Sequence, residues 1–420
     1  MYNTTKKLSG KVSISGDKSI SHRLLMVGSI INDVSKIYNL SNCRDVLTTI
    51  NCLKECNAKI KSFKNGELEI FGGNLKFPSK DLDCQNSGTS ARLLVGLLAG
   101  QGITACFTGD ISLENRPMKR IIDPLKKMGL KIKSNNNTLP LRIEESILSP
   151  INYKVITKSA QVKSALLFAA LGSKSYSKIA YAPETRNHTE KLLKYLGYDI
   201  NIENQISIKK SIINKGFKIT VPGDISSASF LIAAAVLLPG SKIIIEHVLY
   251  NKTRFKFIEL LKKMNANISV ENIHCSDFES SCTITASYSN NLKPLHLTAS
   301  EVIGVIDEIP ILSIVAAQCN GKTIFDGLED LKYKESDRAL LIYENLINMG
   351  ADISYSNNRL ILNGGNKLYN ATIIHNNDHR IAMSFEILHL LLNNSVSMQY
   401  NNIIDISFPD FYSTIEGLIK

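Results

Sequence analysis

Cationic side chains recur in this sequence beside clusters of Ser, Thr, Gly and Asn that run into apolar stretches. Lys18 and Arg23 flank Ser19 in Gly16-Asp-Lys-Ser-Ile-Ser-His-Arg23, and Arg92 follows Asn86-Ser-Gly-Thr89. Arg116-Pro-Met-Lys119-Arg120 follows Gly109-Asp110, Lys163 follows Ser159 and Gln161, and Arg186 opens Arg186-Asn-His-Thr189. Lys334 and Arg338 bracket Lys334-Glu-Ser-Asp-Arg338, and Arg380 closes Asp378-His-Arg380. Small residues at a helix start leave backbone N–H groups free at the positive end of the helix dipole, which attracts phosphate and carboxylate. Ser and Thr there can also simply cap the helix. A cation beside so many of these starts favours anion binding over capping alone. Lys334 and Arg338, four apart, would share one helical face. Two sets of carboxylates stand among the cations. Asp307-Glu308 precedes Ile309-Pro310 and an apolar run to Ala317, and Glu335 sits between Lys334 and Arg338. They can serve as a cap and an ion pair, yet carboxylates held near cations are also candidates for general acid–base work.

The elements that position these groups repeat. A small or polar cluster runs into an apolar helix at Gly16, Asn86, Ser159, Gly223, Ile306 and Asn377, roughly 70 residues apart, the scale of a supersecondary unit. A second pattern follows most copies: an amphipathic helix, a Gly or Asn suited to a left-handed C-cap, then a β-rich run. Its instances reach their caps at Asn57, Gly129, Gly197, Asn265 and Gly350. Turn signals such as Lys64-Asn-Gly66 and Asn363-Gly-Gly365 end the strands. Each copy therefore reads strand, helix, strand, helix, then one or two strands. The first helix of each copy is apolar on all sides, as in Leu231-Ile-Ala-Ala-Ala-Val-Leu-Leu238, and must be buried all round. Three such helices packed centrally with sheets outside satisfy that demand. The reading is an α/β protein of two lobes: residues 1–16 plus 223–420, and residues 17–222, with the active site in the cleft between them. It expects two chain crossings, one near Val221-Pro-Gly223, and a hinge. The sixth copy is cut short by the helix-like 414–420, and needs an N-terminal strand, Gly10–Ile14, to complete its lobe.

Composition narrows the class. A chain of 420 residues, 44% hydrophobic and 21% charged, is ordinary globular material in more than one domain. The formal charge is +11, but the lysines are dispersed rather than gathered in a stripe, which argues against nucleic acid and suits anionic small molecules. No apolar run is long enough for a bilayer, and residues 1–10 lack the apolar stretch of a signal peptide, so a cytoplasmic protein with no membrane association is expected. The eight cysteines form no CxxC pair and have no zinc-finger histidines, so they read as reduced thiols and not as metal ligands.

Taken together and in order, Gly16–Arg23, Asn86–Thr89, Gly109–Met118, Ser159–Lys163, Lys334–Arg338 and Asp378–Arg380 closely resemble the 5-enolpyruvylshikimate-3-phosphate synthase (EPSP synthase) family, from about Lys11 to Phe411. The resemblance implies two inside-out α/β barrel lobes of three βαβαββ units each. It implies transfer of the enolpyruvyl group of phosphoenolpyruvate to the 5-hydroxyl of shikimate 3-phosphate, with release of phosphate and with no metal or organic cofactor. Matched by motif, Lys18 touches both substrates, and Ser19, Arg23, Ser159, Gln161, Arg186, Asp307 and Lys334 bind shikimate 3-phosphate. Gly88, Arg116, Gln161, Arg338 and Arg380 contact phosphoenolpyruvate. Asp307 is implied as the base for the 5-hydroxyl and Glu335 as the acid for the methylene carbon. A monomer inhibited by glyphosate, a phosphoenolpyruvate mimic that Gly88 leaves room for, is expected. Ala160 and Ile406 depart from relatives that carry a serine and a lysine there. UDP-N-acetylglucosamine enolpyruvyl transferase shares this fold, but it pairs Lys with Asn where this chain has Lys18-Ser19. It also places a reactive cysteine where this chain has Ile111. An RNA-end cyclase would need a nucleotidylated histidine, and His379 sits instead in the Asp-His-Arg cluster. A catalytically dead binding member is opposed by the presence of Lys18, Asp307 and Glu335.

Overall fold

The structure is a computed structural model that describes residues 6–62, 67–156, 159–183, 185–392 and 401–420. The expected turn at Lys64–Gly66 and residues 1–5 of the first lobe lie outside them. The chain divides into two compact units: Ser15–Val221 with Asp277–Glu279, and Met1–Ile14 with Pro222–Ser276 and Ser280–Lys420.

In the Ser15–Val221 unit, three apolar helices, Lys18–Ile30, Gly88–Gly100 and Ala160–Ala170, form the centre. Asp17 caps the first, accepting from the Ile20 N–H at 2.9 Å, and Ser87 caps the second through the Ser90 N–H. The second and third helices meet backbone to backbone. A Cβ added at Gly96 would fall 2.2 Å from the Ala165 carbonyl oxygen, so a side chain there would force the helices apart. Three four-stranded sheets accompany these helices. Each follows one pattern, seen in Leu82–Asp83, Ala105–Thr108, Leu141–Glu144 and Lys131–Ser134: the first two strands are parallel, the rest antiparallel. Parallel neighbours require a crossover, and the central helices Gly88–Gly100 and Ala160–Ala170 supply it in two of the sheets, while in the third the strand parallel to Val34–Tyr38 is Lys218–Thr220, from far along the chain.

The second unit repeats this plan with helices Ile225–Leu237, Ile309–Ala317 and His379–Leu392. Every residue of Ile225–Leu237 is buried, as its all-round apolar character demands. Each fully buried Leu or Ile there contributes about 1.5–3 kcal/mol over exposure. Two four-stranded sheets are formed by the described residues.

The strand at the N-terminus corrects one expectation. Ser9–Ser13 pairs in parallel with Lys242–Tyr250, so it completes the fourth copy rather than the sixth. The strand that precedes the fourth copy's helix in sequence, Lys218–Thr220, pairs instead with Val34–Tyr38 of the first copy. The exchange happens at Val221-Pro-Gly223. The Val221 N–H donates to Tyr38, the Gly223 N–H donates to His247, and Pro222 between them has no N–H to pair. The units divide at Ile14/Ser15 and at Val221/Pro222, and the three residues Asp277–Glu279 group with the Ser15–Val221 unit. There Phe278 stacks on Tyr195, and the buried Glu279 takes His188 and Lys191 at 2.8 and 2.9 Å. Asn57, Gly129, Gly197, Asn265 and Gly350 all adopt positive φ at the expected helix ends. All eight cysteines are free thiols.

Candidate active site

The Ser15–Val221 unit gathers Lys18, Ser19, Arg23, Gly88, Arg116, Ser159, Gln161 and Arg186 around the starts of its three central helices. Lys18 begins the first helix and donates to Asp45 at 2.9 Å, from the first turn of Arg44–Glu55. Arg186 donates to the Ser19 hydroxyl at 3.2 Å. Arg23 lies beneath, only 3% exposed: Nη1 donates to the Ser19 carbonyl at 2.7 Å, Nε to Thr189 at 2.6 Å and Nη2 to Ser164 at 2.8 Å. Its guanidinium thus holds Ser19 from below.

At the second helix, Arg116 donates to the Asn86 side-chain oxygen at 2.6 Å, and Arg92 donates to Gln161 Oε1 at 2.8 Å. Gln161 donates onward to Thr89 at 3.0 Å, which joins the second and third helix starts. Gly88 sits between the two guanidinium groups. A Cβ there would lie 2.6 Å from Arg92 Nη1 and 3.5 Å from Arg116 Nη1. Ser159 is the N-cap residue of Ala160–Ala170, but its side chain makes no capping hydrogen bond.

A hydroxyl chain runs behind these groups. His22 Nδ1 lies 2.6 Å from Thr49 Oγ1, which lies 2.7 Å from Ser90 Oγ, and Ser90 Oγ donates to Ser87 at 2.8 Å. Burial, then Lys18 and Arg23, push the His22 pKa well below the usual imidazole range, with Asp17 opposing.

In the other unit, Arg338 organises the acids. It is 1% exposed and donates to Asp378 at 2.8 Å, to Glu335 at 2.5 Å and to Asp307 at 3.4 Å. Burial alone would lower its pKa, but the Asp378, Glu335 and Asp307 carboxylates more than offset that and hold it above the usual arginine range. Lys334 donates to the same Asp307 oxygen at 3.0 Å. Lys334 and Arg338 therefore do meet, though not on a helical face. Lys334 follows the short helix Glu329–Tyr333 in extended conformation, and the next helix begins only at Arg338. Asp378 is wholly buried. One oxygen accepts from the Arg380 N–H at the start of His379–Leu392, and the other from Arg338 and Ser336. Arg380 donates to the Asp307 carbonyl at 3.0 Å and approaches Glu308 at 3.8 Å. Glu308 makes no side-chain cap. It accepts from Ser226, which also accepts from Arg254 at 2.7 Å.

Asp45, Thr189 and Asp378 are functional neighbours that sequence spacing did not single out as site residues. Asp378 carried a signal, its place before His379-Arg380. Asp45 and Thr189 carried none, because their partners lie 27 and 166 positions away. Among the described residues, no group of three or more His, Cys, Asp or Glu side chains could hold a metal ion, and no helix is long and apolar enough to cross a membrane.

The sequence profile of the EPSP synthase (3-phosphoshikimate 1-carboxyvinyltransferase) family matches residues 2–415. A 3-phosphoshikimate 1-carboxyvinyltransferase of Persephonella marina is 40% identical over 99% of this chain and 98% of its own length. One of Caldicellulosiruptor saccharolyticus is 41% identical over the same shares. The solved EPSP synthase of Acinetobacter baumannii superposes with a TM-score of 0.84 at 34% identity, covering 100% of this chain and 98% of its own. The enolpyruvyl transferase NikO of Streptomyces tendae superposes at 0.74 over 100% and 97% of the two chains, but at 15% identity it speaks only for the fold.

Proposed function

The chain belongs to the EPSP synthase (3-phosphoshikimate 1-carboxyvinyltransferase) family, and from that premise we propose that the helix-start cations and the Arg338-centred carboxylates carry the family's reaction. The protein transfers the enolpyruvyl group of phosphoenolpyruvate to the 5-hydroxyl of shikimate 3-phosphate and releases phosphate. Asp307 takes the proton from the 5-hydroxyl as its oxygen bonds to C2 of phosphoenolpyruvate. Glu335 delivers a proton to C3, which gives a tetrahedral ketal phosphate. Loss of phosphate from C2, with a C3 proton returned to a carboxylate, restores the double bond. The observation that carries these two roles is that one buried guanidinium, Arg338, holds both Asp307 and Glu335. Two carboxylates in one polar cluster can divide acid and base duties when their surroundings differ. Asp307 also faces Lys334, while Glu335 has Arg338.

Lys18 bridges the substrates. Ser19, Arg23, Ser159, Gln161, Arg186 and Lys334 serve shikimate 3-phosphate, with Arg23 acting from beneath Ser19. Gly88, Arg116, Gln161, Arg338 and Arg380 serve phosphoenolpyruvate. A substrate carboxylate would take over an Arg338 donor from Glu335 and leave that acid free to meet C3. Holding two anions at fixed cations lowers the barrier by removing the entropy of encounter and by stabilising the charge of the ketal phosphate. We read the enzyme as a cytoplasmic monomer that needs no metal.

The test is phosphate release from the purified chain given both substrates, repeated with Asp307→Asn and Glu335→Gln. Each variant should lower kcat by about 10²–10⁴-fold, the usual worth of a positioned acid or base. Release only with UDP-N-acetylglucosamine in place of shikimate 3-phosphate overturns the substrate. Full kcat in both variants overturns the acid–base roles.

A further inference from the structure

Lys163 stands among the cations at the helix starts in sequence, yet the structure takes it out of contact with solvent altogether. It lies in the first turn of Ala160–Ala170 and is 0% exposed. Its ammonium group meets Glu190 at 2.5 Å, and Glu190 is 1% exposed on the helix His188–Tyr195. The same ammonium donates to Thr185 Oγ1 at 3.1 Å and lies 4.3 Å from the centre of the Tyr181 ring. Burial pulls the Lys163 pKa below the usual lysine range, and Glu190 opposes that fall. An ion pair this deep is an expensive way to join two helices, because both charges lose their water. Its neighbours suggest what it secures. Thr189, next to Glu190, receives Arg23 Nε, and Ser164, next to Lys163, receives Arg23 Nη2. Ser164 and Thr189 also bond each other at 2.7 Å. Thr185 donates to the Ala182 carbonyl at 2.7 Å and is followed directly by Arg186, whose guanidinium reaches Ser19.

We propose that Lys163 and Glu190 form a buried positioning pair for the shikimate 3-phosphate half of the reaction. The pair locks the helix behind Ser159 and Gln161 to the helix behind Thr189. Through Thr185 it also fixes the loop that presents Arg186. Neither residue touches substrate. The pair acts through Arg23, Ser19 and Arg186, and the inference rests on the substrate assignment above.

The test uses the double variant Lys163→Met/Glu190→Leu, which removes both charges while keeping the volume filled. Replacing a buried pair by apolar residues is often neutral for folding. The expected result is an unchanged or slightly raised Tm with the KM for shikimate 3-phosphate up about tenfold, as for loss of one hydrogen bond to a charged group. The KM for phosphoenolpyruvate and kcat should each change less than about threefold. Thr185→Val, which is nearly isosteric, leaves the Lys163–Glu190 pair in place, removes the hydroxyl that joins Lys163 and the Ala182 carbonyl to the Arg186 loop, and should raise the same KM by about threefold. Glu190→Asp keeps the charge and should recover part of the affinity. A purely structural pair would move Tm and leave the ratio of the two KM values alone. The proposal is overturned if the double variant saturates with shikimate 3-phosphate at parental concentrations, or if its loss falls equally on both substrates. Should the double variant not fold, a parental KM in Thr185→Val overturns it. An unaltered chain without turnover overturns the substrate reading itself, and this inference with it.

Discussion

Replacing Gly88 by alanine tests the phosphoenolpyruvate side of the site with one added carbon. The backbone at Gly88 needs no left-handed conformation, and alanine favours a helix start over glycine, so the fold should tolerate the change. The new Cβ, however, would lie 2.6 Å from Arg92 Nη1, while ordinary contact begins near 3.4 Å. The tip of Arg92 must therefore retreat by roughly 0.8 Å, which carries its 2.8 Å bond to Gln161 beyond hydrogen-bonding range. A hydrogen bond to a charged group is worth about 1.5–3 kcal/mol, and Arg92 can regain part of that by rotating. A net loss of about 1.4 kcal/mol is tenfold in binding. The expected outcome in steady-state phosphate-release assays is a KM for phosphoenolpyruvate raised about tenfold, with a smaller rise in the KM for shikimate 3-phosphate because Gln161 serves both substrates, kcat within about threefold of the parent and Tm within a few degrees. The parent should be inhibited by glyphosate, and the variant should resist it by at least the factor by which its KM rises. A variant with parental KM and parental glyphosate inhibition would refute the placement of Gly88 beside phosphoenolpyruvate. A collapse of Tm would refute the claim that the flexible arginine tip absorbs the added carbon.

Two further outcomes follow from buried titratable groups. The folded-state pKa of His22 is depressed, so between that value and the unfolded value near 6.5 the unfolded chain binds more protons. The contribution to stability is full above about pH 6.5 and declines below it, by at most about 1.4 kcal/mol per pH unit. Thermal unfolding from pH 7.5 to 5.5 should show a falling Tm, and His22→Gln should flatten it. His389, also pushed down by burial, adds a slope of the same sign, so identical slopes in parent and variant would sink the assignment to His22. Burial pushes the Cys43 thiol up to about 11 and Cys56, Cys282 and Cys319 up to about 12, which leaves little reactive thiolate at neutral pH. Iodoacetamide at pH 7.5 should label the exposed Cys275 first and leave turnover intact, as followed by mass spectrometry and activity; early multiple labelling or inactivation would contradict that burial.

Local rules carried the sequence reading far. The helix ends at Asn57 and Gly350 were legible because a left-handed cap is a property of one residue and its neighbours. The buried character of Ile225–Leu237 was legible because an apolar helix has nowhere else to go. What failed was pairing at a distance. Lys334 and Arg338 do converge, but on Asp307, and through a break in the helix that a spacing of four cannot report. Asp45 finds Lys18, and Glu190 buries Lys163, through folding of the chain rather than any local pattern. Arg23 reads in sequence as one more cation beside a helix start, and nothing local shows that it lies buried as a brace beneath Ser19, because a charged side chain looks the same in sequence on either side of a helix. Ser9–Ser13 was recognisable as a strand, but its sheet was misassigned, because the repeat suggests an opening strand for each copy and not which copy receives it.

That exchange of opening strands bears on how the chain is made. Ser9 emerges early from the ribosome, yet its partner Lys242 is 233 residues later. At about 5–20 residues per second, the first strand waits roughly 10–50 s as an unpaired edge before its sheet exists. The Ser15–Val221 unit likewise cannot close its first sheet until Lys218–Thr220 is synthesised, so it matures almost as a whole rather than copy by copy. Both pairings carry high contact order, which slows folding even where the finished sheet is stable. Trimming the N-terminus through Ser13 would therefore leave the first-made unit intact and strand the last-made one, an inversion of the usual rule that early residues serve early folding.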